Sequence, residues 1–150
     1  MTNHNKKLNN ISSNVGSGNR FGLIQLSDLQ FGENHRFGYP SKIAEKLLSD
    51  IKKMSGEGEY DFTPLYIVLS GDITEKAHSD EFNDAANVIE EILNGLNIDR
   101  TNILCVPGNH DVNWNLSKNS HEAGDDQLKF LPYNNFVSEV TNNRDRKSVV

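Results

Sequence analysis

Three short apolar runs, separated by two long stretches with helical periodicity, constrain the fold of this chain more than any other feature. The runs cover residues 21–26, 65–70 and 103–106, and their length and content are typical of buried strands. Residues 43–54 and 82–96 carry apolar side chains three and four positions apart, which indicates amphipathic helices. Alternating strands and helices favour right-handed βαβ crossovers and a parallel sheet covered by helices. We therefore predict an α/β fold.

The second predicted helix has a recognisable start, and a third helix is predicted near the end of the chain. The second should begin near Ser79, because Asp80 and Glu81 would then lie in its first turn, where acidic side chains interact favourably with the helix dipole. A last helix is predicted from about residue 127 to residue 140, with Pro132 interrupting it near its start. We expect the apolar stripes of the first two helices to form the core.

Composition limits the classes of partner and the compartment. The formal net charge of −6 provides no basic field for a polyanion, so a phosphate-bearing ligand would need local positive charge, most simply a bound metal. There is no run of 18 apolar residues and no secretory leader, and the single cysteine, Cys105, forms no disulfide within the chain. We expect a soluble, cytoplasmic protein without a membrane partner. Residues 1–19 have the composition of a disordered arm, which leaves residues 20–150 as one folded domain.

Polar side chains follow all three apolar runs. Asp28 follows the first run, and Asp72 follows the second. The third run ends in a Pro-Gly turn that presents three polar side chains in succession, Asn109, His110 and Asp111. Ligands of open α/β sheets bind at the carboxyl ends of the strands. So many acids and amides at one edge would serve no structural purpose without a cation between them, and the sequence therefore predicts a metal site there.

The three strand ends together resemble the first three motifs of the calcineurin-like metallophosphoesterases. The matching residues are Asp28-Leu29-Gln30, Gly71-Asp72 and Gly108-Asn109-His110-Asp111. The resemblance implies a metallophosphoesterase-like β-sandwich flanked by helices. The family's later His and Gly-His-x-His ligands do not occur before Val150. We therefore expect the N-terminal part of such a domain, incomplete at the C-terminus and lacking those ligands.

Carried over position by position, the resemblance implies a dinuclear metal centre. Asp28 would ligate the first metal, Asp72 would bridge both, and Asn109 would ligate the second. His110 would donate a proton to the leaving group, and Asp111 would orient its imidazole. A metal-bound hydroxide would attack phosphorus. General chemistry supports a two-metal site here, because a bridging carboxylate holds two cations at the ~3.5–4 Å that suits an in-line displacement.

Gln30 stands where the family usually has histidine. An amide oxygen is a weaker ligand than imidazole for transition metals, so either Gln30 binds through its oxygen or His35 takes its place. The oxygen-rich set favours Mn²⁺, with Fe or Zn²⁺ as alternatives. We expect His78 and His121 to be exposed without a metal role. Trp114 is most simply a packing anchor beside the site, with ring stacking as the alternative.

Two hypotheses for function follow. The first is a metal-dependent phosphoesterase, a phosphodiesterase or phosphatase, with a phosphodiester such as a nucleotide or nucleic acid as the favoured substrate. The alternative is a truncated or degenerate module that binds a metal or a partner without turnover, which Gln30 and the absent later histidines favour. An incomplete sandwich would expose sheet edges and a core face, so self-association or further domains are expected.

Overall fold

A computed structural model describes residues 21–33, 40–56, 64–116 and 127–141. The predicted N-terminal arm, His35 and His121 lie outside these ranges. Within them, three strands form one parallel sheet in the order β1-β2-β3: β1 (Gly22–Leu26), β2 (Leu65–Ser70) and β3 (Ile103–Val106). The predicted parallel α/β architecture is confirmed, and the strand bounds differ from the prediction only at residue 21.

The register of the sheet brings the carboxyl ends of all three strands to one edge. Leu26 pairs with Leu69, and Ser70 pairs with Val106. Because β2 is the central strand, the turn that follows it lies between the turns that follow β1 and β3. The polar residues singled out in the sequence therefore share one edge of the sheet.

Three α-helices of ten or more residues accompany the sheet in the described residues: α1 (Ser41–Gly56), α2 (Ser79–Leu96) and α3 (Leu131–Val140). Residues 114–116 add a short helical turn. The start of α2 is as predicted, and the Glu81 carboxylate accepts hydrogen bonds from the backbone N–H groups of Lys76 (2.9 Å) and His78 (3.1 Å). The predicted last helix is divided near Pro132, as expected: residues 128–130 form a 3₁₀ helix, and α3 begins at Leu131. Pro132 lies in the first turn of α3, where a missing N–H costs no intrahelical bond. None of the described helices is long and apolar enough to cross a membrane.

Helix α2 is the centre of the core. Its buried side chains include Phe82, Ile89 and Ile92, and α2 packs against both α1 and α3. The Phe82 and Phe136 rings lie 5.3 Å apart between centroids, which fixes α3 on α2. This packing supports the covered face of the sheet and, with it, the edge that carries the polar turns.

The opposite face of the sheet is covered by no described element. Leu23 on β1 and Leu104 and Val106 on β3 are each more than half exposed. The apolar run of β3 is therefore buried on one face only, because alternate side chains of a strand point to opposite faces. An exposed core face is what the incomplete sandwich led us to expect. Met54 is also 45% exposed, although its spacing assigned it to the core stripe of α1.

Candidate metal centre

The turns that follow β1 and β2 run side by side. The N–H of Asp28 donates to the carbonyl of Gly71 at 3.1 Å, and the N–H of Gln30 donates to the carbonyl of Asp72 at 3.0 Å. The pairing continues where Phe31 donates to the Ile73 carbonyl at 2.9 Å. These bonds fix the backbone of Asp28 and Gln30 against that of Asp72, so three of the four predicted ligands are neighbours.

The same three residues adopt left-handed backbone conformations. The φ angles are 54° for Asp28, 47° for Gln30 and 52° for Asp72. Such a conformation is uncommon for residues other than glycine, less so for aspartate than for glutamine, and it concentrates at functional sites. The other described non-glycine residues with positive φ are Ala77 and Asn97, and Asn97 terminates α2. Backbone strain in this structure is thus concentrated at the predicted ligands.

Two glycines allow the turn after β3 to approach Asp72 closely. A Cβ at Gly108 would lie 2.1 Å from Asp72 Oδ1 and 2.4 Å from its backbone nitrogen. A Cβ at Gly71, which has a φ of 91°, would lie 3.0 Å from the Gly108 Cα. In addition, the His110 N–H donates to Asp72 Oδ1 at 3.1 Å. Asn109 lies between Gly108 and His110, so its backbone is held at the same edge beside Asp72.

Asp111 is fully buried, and its carboxylate fixes the turn that follows β3. Its Oδ1 accepts from the Thr74 N–H at 3.0 Å and lies 3.1 Å from the Thr74 hydroxyl, and its Oδ2 accepts from the Gly108 N–H at 2.9 Å. Both carboxylate oxygens are thus used inside the protein. The Asp111 carboxylate ties the turn after β3 to the segment after β2.

The resemblance implied that Asp111 orients the imidazole of His110. In the structure, a backbone carbonyl takes that role. The imidazole Nδ1 lies 2.8 Å from the carbonyl oxygen of Glu75. A carbonyl only accepts, so Nδ1 carries the proton and Nε2 is the ring nitrogen left for other chemistry. The sequence did not single out Thr74 or Glu75. Glu75 acts through its backbone, which leaves no signature in the sequence.

The side-chain oxygen atoms at this edge of the sheet suit a hard divalent cation. The side chains of Asp28, Gln30 and Asn109, and Oδ2 of Asp72, make no hydrogen bond with the described residues. Two carboxylates and two amide oxygens are the ligand types that Mg²⁺, Ca²⁺ and Mn²⁺ prefer. No group of three or more His, Cys, Asp or Glu side chains suited to a metal occurs in the described ranges. Any metal held here therefore depends on the amides.

Cys105 on β3 and Tyr133 on α3 have perturbed pKa values. Burial raises the pKa of the Cys105 thiol to about 11, so the thiol is neutral at physiological pH, as expected of a small apolar strand residue. Burial, with smaller contributions from Cys105 and Asp111, also raises the pKa of Tyr133. The buried Tyr133 hydroxyl has no hydrogen-bond partner among the described residues.

Cavities lie on both sides of the cluster. One of about 760 Å³ is bounded by the turn after β1, including Asp28 and Gln30, and by α1. The other, of about 350 Å³, is bounded by Asn109, His110 and Trp114. The Trp114 side chain is 59% exposed, so it is not the packing anchor that its position suggested. His78 is exposed, as expected, and lines the same smaller cavity.

Comparisons with known proteins agree with the motif resemblance. The family model described as calcineurin-like phosphoesterase matches residues 22–148. A similar curated protein is the "Uncharacterized metallophosphoesterase-like protein YydB" of Bacillus subtilis (strain 168), which is 30% identical over 98 residues. This match covers 64% of the present chain and 18% of the Bacillus protein, so the aligned part is a small fraction of that relative.

Proposed function

The chain belongs to the calcineurin-like phosphoesterase family, and from that premise we propose that its strand-end cluster hydrolyses phosphate esters with two divalent metal ions. One observation carries the proposal. Asp28, Gln30 and Asp72 are held in strained conformations, joined by backbone hydrogen bonds, at the edge where the His110 N–H also bonds Asp72. Strain of this kind persists only where the surrounding structure enforces it.

The position of each side chain suits a distinct role in holding metal. Asp72 follows the central strand, between Asp28 on one side and Asn109 on the other, which is where a bridging ligand must lie. Asp28 and Gln30 would hold one ion and Asn109 the other. Bound divalent ions would polarise the phosphoryl group and activate the attacking water. Mn²⁺ is the favoured metal, with Fe or Zn²⁺ as alternatives.

His110 is the proposed proton donor to the leaving oxygen. With Nδ1 bound to the Glu75 carbonyl, the imidazolium form carries its second proton on Nε2, and His110 is an exposed residue that a substrate can reach. Glu75 takes the orienting role that the resemblance implied for Asp111. Asp111 supports the reaction indirectly, since it holds the loop that positions His110 beside Asp72.

Hydrolysis of two phosphodiesters, one that releases p-nitrophenolate and one that releases an alkyl alcohol, tests the proposal. The purified chain with Mn²⁺ is expected to hydrolyse bis-p-nitrophenyl phosphate, and Asp72→Asn should abolish the reaction. His110→Ala should slow release of an alkyl alcohol by about 10²–10⁴-fold. It should slow release of p-nitrophenolate much less, because that anion departs without a proton.

Asp80→Asn is the matched control, since Asp80 is an exposed acid in the first turn of α2. It should leave both rates unchanged. Rates that Asp72→Asn does not alter, or a His110→Ala effect equal for both leaving groups, would contradict the assigned roles.

A second candidate function is a module that binds metal or a partner without turnover. The observation that favours it is the reliance on the amides of Gln30 and Asn109, because the described residues include no cluster of three or more stronger ligands. Under this alternative, Mn²⁺ binds and Asp72→Asn weakens that binding, but no ester is hydrolysed above the rate of the variant. A phosphodiester substrate, nucleotide or nucleic acid included, and a cytoplasmic location remain part of the first proposal.

A further inference from the structure

Trp114 is exposed although its surroundings fix its backbone. It is the only tryptophan of the chain, and 59% of its surface is accessible, whereas tryptophan is highly buried on average. Val112, two residues earlier, is buried. The exposed indole lies directly after a buried segment and lines a cavity with His110, where it is accessible to a ligand.

Asn113 anchors the chain immediately before Trp114. Its N–H donates to the Lys129 carbonyl at 3.0 Å, and its side-chain amide donates to the Ala77 carbonyl at 3.2 Å. Its side-chain oxygen accepts from the N–H groups of Asn115 and Leu116, each at 3.2 Å, and so caps the helical turn that begins at Trp114. The backbone on both sides of the indole is therefore fixed. A fixed backbone lowers the entropy lost when a ligand stacks on the ring.

The indole borders the cavity into which a leaving group would extend. His110 and Trp114 line the same cavity of about 350 Å³, a volume within the range of small-molecule sites. Under the proposed function, His110 protonates the leaving oxygen, so the remainder of the leaving group must lie beyond His110. Asp28 and Gln30 line the other cavity and not this one.

We propose that Trp114 is a specificity-determining residue that stacks on a planar aromatic ring of the leaving group, supplied by a nucleobase or an aryl alcohol. This inference rests on the proposed function, because it takes His110 as the proton donor. Stacking of a base on an aromatic side chain contributes roughly 5- to 150-fold in affinity. The site should therefore prefer esters whose leaving group carries a ring over alkyl esters of similar size.

The fluorescence of Trp114 gives a direct test, because no other tryptophan contributes to it. We would titrate the chain with adenosine 5′-monophosphate, with phenyl phosphate, and with ribose 5-phosphate, which has no aromatic ring. Saturable quenching by either ring-bearing ligand, at concentrations where ribose 5-phosphate has no effect, is expected. The first two ligands distinguish a nucleobase from an aryl group as the source of the ring.

Variants separate stacking from general effects of substitution. Trp114→Leu should weaken calorimetric binding of the quenching ligand by roughly 5- to 150-fold, and Trp114→Phe should restore most of it. Leu104→Ala, at an equally exposed position on the sheet face, should have no effect. Equal binding of all three ligands, or binding unchanged by Trp114→Leu, would overturn the inference.

The same measurements distinguish failure of this inference from failure of the proposed function. Quenching by a ring-bearing ligand in a chain that hydrolyses no ester would leave Trp114 as a binding platform and remove the catalytic proposal. If His110→Ala slows hydrolysis, the catalytic proposal stands. If esters with ring-bearing and alkyl leaving groups are then hydrolysed at equal rates, both in the wild-type chain and in Trp114→Leu, Trp114 has no role in specificity.

Discussion

Replacing Asp111 with asparagine should destabilise the protein through the loop that it closes. The fully buried carboxylate faces three donors: the N–H of Thr74 at 3.0 Å, its hydroxyl at 3.1 Å, and the N–H of Gly108 at 2.9 Å. Asparagine keeps one acceptor oxygen and turns an NH₂ group toward a donor that then has no partner. A hydrogen bond to a charged group and an unsatisfied buried donor are each worth a few kcal/mol, so we expect a loss of about 2–4 kcal/mol.

Urea unfolding followed by circular dichroism measures this loss as a lower midpoint with an unchanged m-value. His110→Ala is the paired variant, because the exposed imidazole should contribute within about 0.5 kcal/mol to the free energy of unfolding. An Asp111→Asn protein with wild-type stability and a changed pH profile of hydrolysis would refute this reasoning. It would place Asp111 on the imidazole and return to it the role that the resemblance implied.

Three further perturbations follow from the geometry. Tyr133→Phe should raise the free energy of unfolding by about 1–3 kcal/mol, because it removes a buried hydroxyl without a partner among the described residues; a lower melting temperature would contradict this. Gly108→Ala should reduce both stability and Mn²⁺ affinity, since the added Cβ would lie 2.1 Å from Asp72 Oδ1. Gly95→Ala is its control: the added Cβ would meet only the Leu48 side chain, so Mn²⁺ affinity should not change. Stability should fall as pH rises from 9.0 toward about 11, because the unfolded chain releases the Cys105 proton first; Cys105→Ala should flatten that part of the profile.

Elements with a strong sequence period were predictable, whereas the exposure of individual strand residues was not evident from the apolar runs themselves. The strands 65–70 and 103–106 and the helix from Ser79 to Leu96 lie where the apolar spacing placed them. The run from residue 103 to 106 is apolar throughout, so it gives no sign that Leu104 and Val106 face a side of the sheet that no described element covers. Burial depends on elements that the run does not contain.

The sequence predicted that the candidate ligands lie at one edge of the sheet. It did not predict their backbone conformations or the contact that orients His110. Parallel strands alone bring Asp28 and Asp72 to one edge, so topology predicts that much. The left-handed conformation of Gln30 was not predictable, because glutamine is not a residue type that favours positive φ. The contact between His110 and the Glu75 carbonyl likewise depends on the backbone path after β2, which no single residue specifies.

Mn²⁺ binding, measured by electron paramagnetic resonance, tests most directly the claim that the three strand ends form a divalent metal site. The wild-type chain, Asp72→Asn, and Asp99→Asn would be compared at equal concentration. Asp99 is an exposed acid whose side chain accepts from the Thr101 N–H at 2.8 Å, at the opposite end of β3. We predict saturable binding that Asp72→Asn removes and Asp99→Asn leaves unchanged. Equal Mn²⁺ binding by all three proteins would contradict the claim.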